Sequence, residues 1–315
     1  RELTTENLFA IQSEISQEIA HALKAELSPG EQTRVNERPT ENLAAYSAFQ
    51  RGRQLMARRT AETIDKALVE FQRAVELDPG FALAWVGVAE AAQLALWLSD
   101  MKRPEAQSIS SEAIANALAI NDQLGEAYLA KAELIRISAG PGEEREAALK
   151  LAIELSPGYA RAWEKYSDFL DDNPVRLPEA LELAKKAVEL DPLSPTMQQQ
   201  LIYVLNEMGQ SEEAQSRLLH LIEQDPDFAK SYELMFDLKY DHGEIAQAIH
   251  WLHQAQRLDP GNIVYVLREM WPQMYIGNTA QLDRLLGWME ATDPEGSTLP
   301  FMEIFINIYR KNYDA

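Results

Sequence analysis

The chain has no cysteine in 315 residues, which removes disulfides, thiolate metal sites and cysteine nucleophiles together. The same absence leaves the redox compartment open. Long apolar runs are missing too: nothing approaches the ~18 to 20 residues a membrane helix needs, and the first residues do not resemble a secretory signal. The chain opens at Arg1 rather than at a methionine, so a piece of a longer protein is expected. Basic residues are scarce, with 29 Lys and Arg against 50 Asp and Glu for a net charge of −21. Residues 1–60 hold eight of each sign, so the whole deficit lies beyond them. A surface of that sign repels phosphate backbones and anionic lipid, so direct nucleic-acid or membrane binding is not expected. A basic or neutral partner is favoured, although net charge of this kind also serves solubility alone.

The sequence also lacks a phosphate-binding loop, a dinucleotide turn, a nucleophile elbow and a His-Glu-x-x-His motif. Of five histidines, His250 and His253 stand three apart with His242 upstream. Two imidazoles without a carboxylate at ligand spacing read as solvated helix residues, so no metal or cofactor is expected. Carboxylates abound, but acid–base chemistry needs an enclosed pocket that an open array of helices rarely provides. We expect no catalysis.

What the chain does have is a period. Asp78-Pro79, Ser156-Pro157, Asp191-Pro192, Asp225-Pro226, Asp259-Pro260 and Asp293-Pro294 recur, the last four prolines stepping by 34 residues. Two longer units with a degenerate boundary at Asn121-Asp122 fill the interval from Pro79 to Pro157, giving seven units. Proline cannot continue a helix, and Asp or Ser before it favours a turn, so each boundary ends one helix and begins another. Twelve residues before the proline stands an alanine in four units, Ala67, Ala180, Ala214 and Ala248, where two helices are to cross closely. Six residues after the boundary comes a ring in four units, Trp85, Tyr128, Trp163 and Tyr232. Apolar residues follow helical spacing, as in Ala180, Leu183, Ala184, Ala187, Val188 and Leu190, and no strand pattern appears.

This combination closely resembles the tetratricopeptide repeat family, a 34-residue helix-turn-helix with an early aromatic, a mid-unit alanine and a late proline. The resemblance implies an all-α solenoid, a right-handed superhelix of about seven helix pairs. The units are expected at 43–79, 80–122, 123–157, 158–192, 193–226, 227–260 and 261–294, within an array spanning 43–296. Gln198 and Val266 depart from the pattern by replacing the ring, and the unit after Pro79 carries an insertion around Leu98 to Ser108. Residues 1–42 read as linker helices: an amphipathic helix over 5–27 with Leu8, Ile11, Ile15, Ile19, Leu23 and Leu27 on one face, then a capping box at Ser28 to Glu31. Residues 297–315 read as a C-terminal capping helix whose apolar side chains cover the end of the array or bind a second copy.

The first 60 residues resemble the junction in bacterial signalling proteins where a TolB-like domain gives way to tetratricopeptide repeats, in regulators of winged-helix or nucleotide-cyclase type. That resemblance implies a regulatory role, periplasmic if a membrane helix precedes Arg1 and cytoplasmic otherwise.

In this repeat family the first helix of each pair lines the concave face, at positions four, seven, eleven and fourteen residues after the boundary proline. Those positions are Arg161, Glu164, Asp168 and Asp171; Thr196, Gln199, Tyr203 and Asn206; Lys230, Glu233, Asp237 and Tyr240; and Val264, Leu267, Trp271 and Met274, with Pro272 expected to kink the last helix. The expected groove is acidic, then polar, then aromatic. It suits a peptide or protein segment carrying Lys or Arg plus an apolar anchor. A solvated acidic face, a passive scaffold or homodimerisation module, and glycan binding at Trp271 are the competing readings.

Overall fold

The computed structural model describes residues 14, 15, 18, 38–58 and 60–292. Residues 14, 15 and 18 are helical. The rest of the N-terminal helix, the capping box at Ser28 and the capping helix at 297–315 lie outside the described residues. Fourteen helices follow from residue 43, with no strand among the described residues. Six pairs pack together: α1 Leu43–Ala57 with α2 Ala61–Leu77, α3 Ala82–Leu98 with α4 Arg103–Ile120, α5 Gly125–Ile137 with α6 Gly142–Leu155 and, after α7 Ala160–Leu170 and α8 Leu177–Leu190, α9 Pro195–Glu207 with α10 Ser211–Gln224, α11 Ala229–Asp241 with α12 Ile245–Leu258, and α13 Ile263–Tyr275 with α14 Thr279–Thr292.

The proline boundaries work through backbone geometry. A residue preceding proline is pushed out of the helical region, and Asp78, Asp191, Asp225 and Asp259 all stand near φ −140° at the ends of their helices. The chain then folds back, with Phe81 N–H donating to the Asp78 carbonyl at 3.1 Å and Tyr159 to Ser156 at 2.9 Å. The residue six places on locks the turn from its side chain. Trp85 Nε1 donates to the Pro79 carbonyl, Trp163 Nε1 to that of Pro157 and Tyr232 Oη to that of Pro226, each at 2.9 Å. Gln198 makes the same bond to Pro192 at 3.2 Å with its amide nitrogen, so the loss of the ring there is not a loss of the contact.

Within a pair the turn is set at the C-terminus of the first helix. Gly209, Gly243 and Gly277 adopt φ near +73°, where a side chain is disfavoured. The following residue donates back across the helix end, for example Gln210 N–H to Leu205 O at 2.8 Å, which satisfies carbonyls the helix leaves open. Ala139 takes the same role at φ 51°, with Gly140 N–H on Ile135 O at 2.9 Å. Its methyl is exposed and pays left-handed strain without packing in return. We expect Ala139→Gly to raise stability by about 0.5 kcal/mol in urea unfolding; a destabilised variant would show that the unfolded-state entropy of glycine wins.

The crossing alanines Ala67, Ala180, Ala214 and Ala248 are all fully buried. Contacts cluster in two compact units that divide between Phe169 and Leu170. The core of unit 1 runs through Phe49, Phe71, Phe81 and Val88. Phe71 is wedged so tightly that a Cβ on Gly52 of α1 would lie 2.7 Å from its ring, and one on Gly87 of α3 only 2.5 Å. Unit 2 holds one cluster around Phe236, Leu252 and Tyr265 and another around Met270, Leu282 and Met289.

Candidate protein-binding surface

In unit 1 the predicted positions are occupied by charges that already have partners. Glu164 is buried, and Lys165 Nζ donates to it at 3.0 Å; burial pushes its carboxyl up against that pull. Asp168 accepts from Arg145 at 3.3 Å. Arg161 reaches back to Glu90 on α3 at 2.7 Å, and Tyr159 Oη also donates to Glu90 at 3.3 Å. This contact joins first helices that lie two pairs apart. Glu133 is partly buried, which opposes its ionisation, but Arg136, Lys165 and Arg145 together hold its carboxyl below the usual range. Four of the first-helix acids of unit 1 thus have basic partners, while Glu126 of α5 accepts from the Ser156 hydroxyl at 3.3 Å.

Unit 2 divides into three zones. On α11, Glu233 is 6% exposed and receives Lys230 at 2.9 Å and Arg268 of α13 at 3.2 Å. Arg268 also pairs with Asp237 and stands over the Phe236 ring at 5.9 Å, while Phe236 stacks on Tyr240 at 5.6 Å. Burial raises the Asp237 carboxyl despite Arg268. This acidic pair is thus neutralised from within.

The second zone centres on Tyr203 of α9, which is 41% exposed. Partial burial and the charges of Glu207, Asp171, Asp172 and Asp241 push its phenol up to about 12. Asp171 accepts from Gln200 at 2.7 Å, and Asp241 accepts from Asn206 at 3.0 Å, which ties α9 to α11. Among the described residues no lysine or arginine pairs with Asp172, Glu207 or Asp241. The Gln199 amide nitrogen is buried and without an acceptor.

The third zone is α13. Val264, Trp271 and Tyr275 are 44%, 43% and 77% exposed at helical spacing that puts them in one row. Leu267 and Met274, predicted alongside them, instead pack into the Met270 cluster. The helix runs through Pro272 to Tyr275. Sequence position alone missed Arg268, and Glu269, a carboxylate only 1% exposed. The signal for Glu269 was an acid placed between the core residues Val266 and Met270. His253 and His250 part company: His253 Nε2 meets Glu269 at 3.1 Å, whereas His250 turns to Gln254 and the edge of Trp251.

Residues 176–238 match the family model described as tetratricopeptide repeat. Among solved structures, a tetratricopeptide repeat protein from Parabacteroides merdae matches with a TM-score of 0.55 at 11% identity, covering 83% of this chain and 98% of that one. The Cut9–Hcn1 hetero-tetramer of APC/C contains a chain that matches with a TM-score of 0.57 at 13% identity, covering 93% of this chain and 52% of that one. The fold is that of a tetratricopeptide-repeat array. Repeats of this kind mediate protein–protein contact, and in this array the lock at the Pro79, Pro157 and Pro226 turns is the family's early aromatic and at the Pro192 turn its substitute Gln198. Among curated proteins, "Putative adenylate cyclase 3" of Rhizobium meliloti (strain 1021) is 34% identical over 79 residues, which is 25% of this chain and 14% of that protein. The matched stretch is thus a small part of that relative's length and a quarter of this chain.

Proposed function

We propose that unit 2 binds a protein segment carrying a lysine or arginine together with an apolar anchor. The cation sits among the carboxylates around Tyr203, and the anchor lies against Val264, Trp271 and Tyr275. The observation that carries this reading is selective compensation. Glu90, Glu133, Glu164, Asp168, Glu233 and Asp237 each have a basic partner in their own unit, while among the described residues no lysine or arginine pairs with Asp172, Glu207 or Asp241 around Tyr203. A charge supplied from outside would be attracted to the uncompensated cluster, and a large exposed ring is what gives an interface its affinity.

A labelled peptide of alternating lysine and leucine serves as the probe, with its glutamate counterpart as control. Fluorescence anisotropy should show the basic peptide held more tightly. The double variant E207K/D241K should weaken it about tenfold, or about 1.4 kcal/mol, while D168K in unit 1 should leave it unchanged. Equal binding by the double variant and the parent would sink the cation site.

The similarity to a putative adenylate cyclase and the form of the N-terminal junction support a further reading, in which the array is the sensor portion of a bacterial signalling protein. A ligand that binds one arrangement of the helices better than another shifts their population. Small-angle scattering separates this from a passive scaffold: a sensor changes its profile on binding the probe, whereas a scaffold captures it without change.

A further inference from the structure

The last two helix pairs meet around a single buried carboxylate. Glu269 of α13 is 1% exposed and is surrounded by four donors from three helices. His253 Nε2 of α12 lies at 3.1 Å, Gln256 of α12 at 3.2 Å, Gln273 of α13 at 3.0 Å and Gln281 of α14 at 3.0 Å. Gln273 is fixed in turn by Asn278, whose amide donates to its oxygen at 2.9 Å. A carboxylate this deep needs both hydrogen bonds and a countercharge. Three of its partners are neutral amides, so the countercharge can come only from the imidazole.

We propose that His253 and Glu269 form a pH-operated latch that holds α13 onto α12 and α14. The proposal goes beyond partner binding, although it concerns the same helix: α13 presents Glu269 inward and Val264, Trp271 and Tyr275 outward. When His253 is protonated, the latch is an ion pair braced by three amides. When His253 loses its proton, the imidazole can still donate a hydrogen bond, but the buried carboxylate has no cation and the seam between the helices loosens.

The charges that act on His253 are few. Glu269 raises its pKa through the hydrogen bond, burial opposes this, and Arg257 one turn further along α12 opposes it too. From α11, Glu233 and Asp237 are taken by Arg268, and Lys239 is taken by Glu244. From α14, Asp283 and Arg284 are exposed, and Gln281 is the side chain that reaches the network. Burial resists ionisation of Glu269, but the bonds from His253, Gln256 and Gln281 hold its carboxyl below the usual range.

The pH window follows from those two directions. His253 is raised in the fold, so its contribution is complete below the ordinary imidazole value near 6.5 and fades as pH rises through the raised value. Glu269 is lowered, so its contribution is complete above the ordinary carboxylate value and fades as pH falls through the lowered one. The latch is closed from mildly acidic to near-neutral pH and opens on the alkaline side.

The test uses the full chain. Ring resonances of the five histidines are followed by NMR against pH, with His253 assigned by its disappearance in H253Q. His253 should titrate above the ordinary imidazole value, and in E269Q it should fall back. Thermal midpoints between pH 6 and pH 9 should drop further for the parent than for H253Q, which keeps a donor but has no proton to lose. A His253 that titrates at or below the ordinary value overturns the latch, as does an H253Q variant that follows the parent's pH profile. If E269Q does not fold, the parent titration and H253Q still decide. Neither measurement involves a binding probe, so the result stands apart from the fate of the proposed partner site.

Discussion

Replacing Phe71 by alanine is expected to destabilise unit 1 by about 3 to 5 kcal/mol, the range for removing a fully buried phenylalanine, and Gly87→Ala to cost about 1 to 3 kcal/mol by adding one methyl group. The two effects share one cause. Phe71 is wholly buried on α2 and packs against Phe49 with its ring tilted by 55° at 5.7 Å, while Phe49 meets Phe81 at 4.9 Å. The backbones of α1 and α3 approach the Phe71 ring at Gly52 and Gly87, where a Cβ would stand 2.7 and 2.5 Å from ring carbons. A methyl at either place must drive the ring or the helix away. The pair Phe71→Leu with Gly87→Ala should therefore cost less than the sum of the single changes, since the smaller side chain frees the space the methyl takes. Urea unfolding of the four proteins gives the cycle. Additive costs would mean that the glycine is needed for a reason other than the ring.

Removing the guanidinium of Arg268 is the second large change. Arg268→Ala should lose about 2 kcal/mol near pH 7, less than the cost of breaking a wholly buried pair, because Arg268 and Asp237 are each about a third exposed and water screens them. Glu233 would keep only Lys230, and Asp237, already raised by burial, would rise further. A carboxyl raised in the fold weighs against folding once pH exceeds its unfolded value, and that penalty disappears as pH falls through the raised one. The gap between parent and variant should accordingly narrow from pH 7 toward pH 4. Arg268→Lys should recover only part of the loss, since an ammonium cannot reach Glu233 and Asp237 as a fork does. A gap that stays constant with pH would place the effect in packing over Phe236 instead of in charge.

The helix pairs were legible because their cause is local. A proline forbids the helix at a known residue, and the aspartate before it leaves the helical region at each of the four boundaries Asp78, Asp191, Asp225 and Asp259. The alanines were legible for a related reason: burial at 0% exposure tolerates no larger side chain at a close crossing. What could not be read was which acids remain without a partner. The compensating bonds span 23 residues for Arg145 to Asp168, 31 for Arg268 to Asp237 and 71 for Arg161 to Glu90, and a rule that counts positions from the boundary proline says nothing about them. The same rule placed Glu164 and Glu233 in the groove, whereas the structure buries both. Nor did the 34-residue step announce the division after Phe169, which falls inside a helix rather than at a proline.

The amide of Gln198 says something about how such arrays drift. At that position the turn asks for a hydrogen-bond donor that can reach a carbonyl six residues back, and indole, phenol and carboxamide all satisfy it. The ring is one way of delivering the donor. A lineage could therefore lose the aromatic signature by which a repeat is recognised while its turn kept the lock, as at Pro192; the Pro260 turn, followed by Val266, carries no such side-chain donor.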